Sequence, residues 1–200
     1  MLSIEEGRTA VKLARESLAA YLERKERIKP EDLSPAFQNK GGVFVTLHEE
    51  GDLRGCIGYP EPVMELGLAI VDSAISAGVR DPRFPQVRPE ELDKIVIEVT
   101  VLSPPQPYEV EKKDLPDTVE IGKHGLIVRK SMWSGLLLPQ VATEWNFDSA
   151  EFLCQTCLKA GLPPDSWIDE DTEVLYFEGQ VFAEVEPEGE VVEKELAECV

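Results

Sequence analysis

The sequence predicts an α+β fold in which mixed, mainly antiparallel sheets are flanked by helices. Three observations lead to this prediction: apolar residues recur at helical spacing near the N-terminus, alternating residues indicate a hairpin and a later strand, and the elements lack strict β-α-β alternation. The chain has 200 residues, of which 42% are hydrophobic and 30% charged. This length suits one large domain or two small subdomains that fold without disulfides or metals.

A helix opens the chain and a β-hairpin follows it. Ser3 and Glu6 form a capping box that begins the helix, which is expected to end before Pro30. The residues alternate between two faces over 43–48, and the return strand is predicted over 53–57. The short acidic and glycine-containing segment between these strands predicts a hairpin turn.

A buried helix and a strong strand come next. Residues 61–79 are apolar around most of the helical circumference, and Pro62 lies in the first turn, where its missing N–H costs nothing. The strand over 94–102 ends at the proline cluster 104–107, which is the best linker signal in the chain. Glu98 interrupts this strand, and an exposed position is favoured over a buried, paired one because many strands have one solvated face.

The second half of the chain shows weaker patterns. They predict a strand over 126–129, a helix over 149–160, and a strand or hairpin over 174–185. The acidic tail that begins at Glu188 is expected to be frayed.

Charge and cysteine content exclude several classes of protein. Twenty basic and 39 acidic residues give a net charge of −19, so we expect neither broad nucleic-acid binding nor membrane binding. Four cysteines are too few for a disulfide framework, and the chain lacks both an N-terminal signal sequence and a long apolar run. A cytoplasmic location is therefore predicted. Abundant Glu and Lys with only two Asn favour a thermophilic source.

The hexapeptide Leu53–Gly58 carries the most chemical information. On a strand, Arg54, Cys56 and Gly58 share one face, where the guanidinium would favour the thiolate. Gly55 and Gly58 leave the sulfur without neighbouring side chains, so that a ligand could approach it. A reactive Cys56 is one interpretation, and a buried structural cysteine at a strand end is the other and more common one.

The segment Arg80–Phe84 gathers two guanidinium groups and a carboxylate on a stiff turn. One interpretation is an anion clamp in which Asp81 orients Arg83. The other is a surface ion pair, which would contribute little to stability.

His124 lies in a loop between glycines, and it would be a general base for a thiol if the loop carried it into a pocket. A turn histidine that is hydrogen-bonded to the backbone is the alternative. Cys154 and Cys157 resemble half a zinc site, but their position on the apolar side of a helix favours core packing.

Together these motifs resemble the AMMECR-type family, which is named for a human chromosomal region linked to Alport syndrome, midface hypoplasia and elliptocytosis. The acidic chain is most similar to an archaeal stand-alone member. The resemblance rests on Leu53–Gly58 and extends over nearly the whole chain through Asp81–Phe84, Gly122–Gly125, Leu137–Val141, Lys159–Leu162 and Trp167.

The resemblance implies a single AMMECR-type domain over residues 1–200, divided into two unequal subdomains. The larger subdomain would contain both chain termini, and the smaller would be inserted into it. The resemblance also implies Memo-type and radical-SAM proteins as partners, because prokaryotic relatives often occur beside or fused to them. It implies no established reaction.

Motifs and resemblance together predict a thiol-dependent enzyme that uses no cofactor and no metal. Cys56 would be the nucleophile and His124 the general acid or base, and the substrate would be an anionic small molecule or a modified base. The predicted substrate-binding residues are Arg54, Gly55, Gly58, Asp81 and Arg83.

Two other functions remain open at this point. A non-catalytic module would use the same groove to bind a ligand or a protein. Alternatively, Arg54 would form a buried pair with Glu98 or Asp81, and the hexapeptide would serve folding rather than function.

Overall fold

A computed structural model describes residues 1–194. The chain divides into two compact units: the first comprises Met1–Leu102 and Gln180–Lys194, and the second comprises Ser103–Gly179. The boundary after Leu102 falls directly before the proline cluster. The fold is α+β with antiparallel strands and flanking helices, which confirms the predicted class.

The first unit places two helices against antiparallel strands. Its strands are ordered β2-β1-β3-β7, and β8 pairs with the C-terminal end of β7. Both helices contribute fully buried apolar side chains to the core that they form with the strands. The elements are α1 (Ile4–Arg24), β1 (Gly42–Glu49), β2 (Asp52–Tyr59), α2 (Leu66–Val79), β3 (Ile95–Leu102), the C-terminal part of β7 (Glu173–Glu184) and β8 (Val191–Lys194).

In the second unit, β5 lies between β6 and the N-terminal part of β7, and β4 also pairs with β7. Its helices supply a separate apolar core, in which Cys157 is fully buried. This packing confirms the prediction for Cys157. The elements are β4 (Gln106–Pro107), α3 (Leu115–Thr118), β5 (His124–Lys130), β6 (Trp133–Leu137), α4 (Pro139–Glu144) and α5 (Ser149–Lys159).

The predicted start of α1 and the predicted hairpin are confirmed. The Ser3 Oγ accepts from the Glu6 N–H, and the Glu6 carboxylate accepts from the Ser3 N–H at 2.9 Å. The helix ends with Lys25 in the left-handed conformation, well before Pro30. The hairpin turn between β1 and β2 contains Gly51 with φ of 90°, a value that suits glycine.

The predicted start of the second helix at residue 61 is wrong, because α2 begins at Leu66. Glu65 has a non-helical backbone with ψ of 138° and forms a β-bridge with Lys40, and the Leu66 N–H donates to the Asn39 carbonyl at 2.8 Å. Because these contacts engage Glu65 and the Leu66 N–H outside a helix, the helix begins only at Leu66.

Of the two alternatives predicted for residues 174–185, the strand is confirmed. Residues 173–184 form one continuous strand, which pairs with β5 before Gly179 and with β8 after it. The prediction of a frayed tail is wrong for Val191–Lys194, which form the strand β8. The rest of the predicted frayed tail lies outside the described residues. Within residues 1–194, no helix is long and apolar enough to span a membrane.

Candidate functional site

Cys56 lies in a row of polar residues that crosses three strands of the first unit. It pairs with Thr46 of β1, and Thr46 pairs in turn with Glu98 of β3. We call Cys56, Thr46 and Glu98 the thiol row. The Thr46 hydroxyl donates to the Cys56 Sγ at 3.4 Å. The sulfur is half-buried, whereas Glu98 is buried, so the prediction that Glu98 is exposed is wrong.

The surroundings of Cys56 favour the neutral thiol. Burial raises the pKa of Cys56 above its ordinary value, and the charges of Asp81 and Glu98 raise it further. The hydrogen bond from Thr46 and the charge of Arg83 act in the opposite direction but do not outweigh burial. The expectation of a thiolate stabilised at rest is therefore wrong, because desolvation outweighs the nearby guanidinium.

Asp81 holds both Cys56 and Arg83 in place. Its side chain is only 1% exposed, and its carboxylate accepts from the backbone N–H of Cys56 at 2.9 Å. The same carboxylate accepts from Arg83 Nε at 3.0 Å and from Nη2 at 2.7 Å. Hydrogen bonds from Arg83 hold the pKa of Asp81 well below its ordinary range. The structure thus brings Cys56, Asp81 and Arg83 together.

The Arg83 guanidinium combines a fixed position with access to solvent. Its Nη2 donates to the Cys56 carbonyl at 3.3 Å, while 55% of the side chain remains exposed. A guanidinium held in this way can bind a carboxylate, a phosphate or a developing oxyanion beside the sulfur.

Arg54 forms an ion pair with Glu91, and within the described part of the chain it donates no hydrogen bond to Cys56. Its side chain is 12% exposed, its Nε donates to Glu91 at 3.0 Å, and its Nη1 donates to the Pro85 carbonyl at 2.8 Å. The sequence suggested Glu98 or Asp81 as a buried partner. The carboxylates that pair with Arg54 are instead those of Glu91 at 2.9 Å and Glu49 at 3.7 Å. Arg54 therefore links β2 to the turn at Pro89–Lys94.

The two glycines of the hexapeptide allow close backbone packing. A Cβ at Gly55 would lie 2.2 Å from the Ala77 carbonyl oxygen of α2, and a Cβ at Gly58 would lie 2.2 Å from the Val43 carbonyl oxygen. Both positions require glycine because these neighbours are backbone atoms. Access of a ligand to the sulfur, the reason offered by the sequence, is not needed to explain them.

His124 belongs to the second unit, where it begins β5. Its Nδ1 accepts from the Glu120 backbone N–H at 3.1 Å and lies 3.0 Å from the Tyr108 hydroxyl. Because Nδ1 accepts a backbone N–H, the neutral ring carries its proton on Nε2. Burial lowers the pKa of His124, which keeps the ring neutral at physiological pH.

His124 lines an open pocket of the second unit with a volume of about 590 Å³. The Tyr176 ring lies 4.7 Å from the Tyr108 ring and 4.6 Å from the His124 ring, measured between centroids. No sequence pattern predicted a role for either tyrosine, although Tyr108 directly follows the proline cluster. The pocket is lined by Gln106, Pro107, Tyr108, Glu109, Thr118, Glu120, Lys123, His124, Tyr176 and Glu178.

The described part of the chain contains no group of three or more His, Cys, Asp or Glu side chains able to hold a metal ion. The chemistry available near Cys56 is that of a thiol, a hydroxyl, carboxylates and a guanidinium.

Comparisons with known proteins agree along nearly the entire chain. The family model described as AMMECR1 matches residues 11–182. Protein Mbar_A1807 of Methanosarcina barkeri is 55% identical over 98% of this chain and 99% of its own length. A protein of Thermococcus gammatolerans is 49% identical over 96% of this chain and 97% of its own.

A solved structure is also similar. The crystal structure of the uncharacterized protein PH0010 from Pyrococcus horikoshii has a TM-score of 0.84 and 46% identity, and the match covers 96% of this chain and 97% of that one. The relatives named here are archaeal, in agreement with the resemblance found in the sequence.

Proposed function

The chain belongs to the AMMECR1 family, and from that premise we propose that it is a thiol-dependent enzyme in which Cys56 attacks an anionic small molecule or a modified base. One observation supports this most directly: a half-buried thiol lies beside a largely exposed guanidinium that a buried carboxylate holds in position. A nucleophile next to a fixed donor for negative charge is the arrangement that covalent catalysis needs.

The raised pKa of Cys56 determines the order of events in the proposed step. The thiol is protonated before substrate binds, so its proton must leave as the sulfur adds to a carbonyl carbon of the substrate. In this step the S–C bond forms, the S–H bond and the π bond of the carbonyl break, and the π electrons move to the carbonyl oxygen. Glu98 in the thiol row is the proposed acceptor of this proton. The Thr46 hydroxyl stabilises the developing thiolate, and Arg83 stabilises the negative charge that develops on a substrate oxygen.

His124 enters this proposal only as an acid or base whose role stays a prediction. In its neutral form it offers the Nε2 proton, so it would first donate rather than accept.

Competition between iodoacetate and iodoacetamide tests the proposal, because the two reagents have nearly the same size and alkylate by the same reaction, but only iodoacetate is negatively charged. We expect iodoacetate to be favoured at Cys56 relative to Cys154, measured by peptide mass spectrometry on the same sample. Arg83→Met should remove the preference at Cys56 and leave Cys154 unchanged. Equal reagent ratios at both cysteines, in the wild type and in the variant, would contradict a role for Arg83 in binding anions.

The non-catalytic binding module is the second candidate, and the neutral thiol at rest favours it. In that case Arg83 still selects anions, but Cys56 only packs against them. The two candidates differ in the rate of iodoacetamide modification. A Cys56 that reacts no faster than the buried Cys157 at any pH would favour the binding module over the enzyme.

A further inference from the structure

We propose that the pocket of the second unit binds a small organic cation that carries a primary amine next to a hydrogen-bond acceptor. The acidic residues that line this pocket are Glu109, Glu120 and Glu178, and Lys123 is the basic one. A negative pocket in a chain with a net charge of −19 attracts cations and repels anions.

The pocket already holds an ammonium group, which is that of Lys123. The Lys123 Nζ lies 3.3 Å from both Glu120 carboxylate oxygens and 3.4 Å from a Glu178 oxygen. Two carboxylates from different elements therefore converge on one ammonium. The Lys123 side chain is half-exposed, and exposed ion pairs are weak, so an external amine can replace it at low cost.

A buried donor supplies the second point of recognition. The His124 side chain is only 7% exposed, and it lines the pocket. Among the described residues its Nε2 has no hydrogen-bond partner, and the nearest carboxylate oxygen, from Glu120, lies 3.8 Å away. Because Nδ1 accepts from the backbone, Nε2 carries the proton and is left to donate to an acceptor on the ligand.

The tyrosines provide the apolar wall of the pocket. The rings of Tyr108 and Tyr176 lie side by side, and both line the cavity. Aromatic faces attract organic cations and cover their carbon atoms. The pocket thus combines an anionic point, a neutral donor and an aromatic surface, which match an amine, an acceptor and a hydrocarbon part.

A matched set of three probes tests the charge requirement: 2-phenoxyethylamine, 2-phenoxyethanol and phenoxyacetate. They share the ring and the ether oxygen and are cationic, neutral and anionic, respectively. Binding is followed by NMR of the histidine rings in the full chain, which contains only two histidines. We expect the amine to shift the His124 signals saturably, with little change at His48 of the first unit.

Variants of Lys123, which is exposed, and of Glu178, which is half-buried, test the geometry of the pocket. Lys123→Met should tighten amine binding about two- to fivefold, because it removes the internal competitor. Glu178→Gln should weaken binding, because one of the two converging carboxylates is lost. Equal shifts from the neutral or anionic probe, no shift at His124, or unchanged or weaker binding in Lys123→Met would overturn the proposal.

Discussion

Cys56 and Cys157 show how the surroundings of a residue determine its chemistry. Burial raises the pKa of Cys157 to about 11, and this side chain packs in the apolar core of the second unit. Burial also raises the pKa of Cys56, but a hydroxyl and a guanidinium lie close enough to oppose it. Cys56 therefore has side-chain groups that can stabilise a thiolate when a substrate arrives, whereas the contact that opposes burial at Cys157 is a hydrogen bond with the Trp167 backbone.

The charges around Cys56 lead to a prediction about the pH dependence of its alkylation. The midpoint of the iodoacetamide rate should lie above the ordinary value for a thiol, because burial raises the pKa. Arg83→Met should move this midpoint up, and Glu98→Gln should move it down. Measuring the rate at each pH by mass spectrometry separates the variants. If the midpoint shifted in the same direction in both variants, the charges of Arg83 and Glu98 would not act on the sulfur as described.

Asp81 is predicted to be important for stability, because it is a buried carboxylate that holds two segments. Asp81→Asn should lower the free energy of unfolding by about 2 kcal/mol, since charge-assisted bonds from Arg83 and the Cys56 N–H become weaker. Urea denaturation measures this loss. Asp171→Asn is the matched control: that acid is paired with Lys130 at the surface, and little change is expected. Equal effects of the two substitutions would contradict the assigned role.

The lowered pKa of Asp81 also fixes the sign of a pH effect. The unfolded state binds a proton more readily than the folded state below a pH of about 3.9, so the contribution of Asp81 is present above that pH and is lost as the pH falls. The free energy of unfolding of Asp81→Asn should therefore fall less on acidification than that of the wild type, as measured by urea denaturation at each pH.

His124 is positively charged when it is protonated, whereas Asp81 is negatively charged when it is ionised. The lowered pKa of His124 gives a second prediction about stability and pH. Below a pH of about 6.5, the unfolded state takes up a proton that the folded state resists, so stability falls on acidification. NMR titration of the folded chain should give a His124 midpoint below that of an unfolded histidine. A midpoint at or above about 6.5 would contradict the argument that burial disfavours the protonated ring.

Among the elements, the hairpin was predictable and the start of α2 was not. The turn and the alternation that define β1 and β2 are local features, because they depend on neighbours in sequence. The start of α2 depends on Asn39 and Lys40, which lie more than twenty residues before it and hold Glu65 and Leu66 in place. Helical periodicity alone extends into this segment and cannot reveal those contacts.

The packing of β2 against α2 predicts a large difference between two glycine substitutions. Gly55→Ala should destabilise the protein by about 3 kcal/mol, because the new methyl group would overlap the Ala77 carbonyl and move the backbone. Gly51→Ala should cost only about 1 kcal/mol, because that site is open and only its positive φ opposes alanine. Thermal or urea unfolding of both variants provides the comparison, and similar losses would contradict the close approach of the helix.

For the whole molecule, family and fold class were predictable from short motifs and their order, whereas the partners of charged side chains were not. The hexapeptide singled out Cys56, whose polar contacts with Thr46, Asp81 and Arg83 all come from outside the motif. However, the sequence did not indicate that Arg54 would pair with Glu91 or that Glu98 would be buried. Such pairings depend on segments that are distant in sequence, and alternation along one strand does not specify what lies opposite each face.

The net charge of −19 gives a prediction for the whole chain: salt should stabilise it. Acidic residues exceed basic ones by 39 to 20, so at low ionic strength repulsion outweighs the attraction within ion pairs. Raising the salt concentration from about 0.01 M to about 0.15 M shortens the screening length from about 30 Å to about 8 Å and should raise the melting temperature by a few degrees. Sodium chloride and potassium chloride should act alike in calorimetry, because screening depends on ionic strength and not on the cation. A melting temperature that falls with salt would instead show that ion pairs such as that of Arg15 with Glu184 dominate the electrostatic energy.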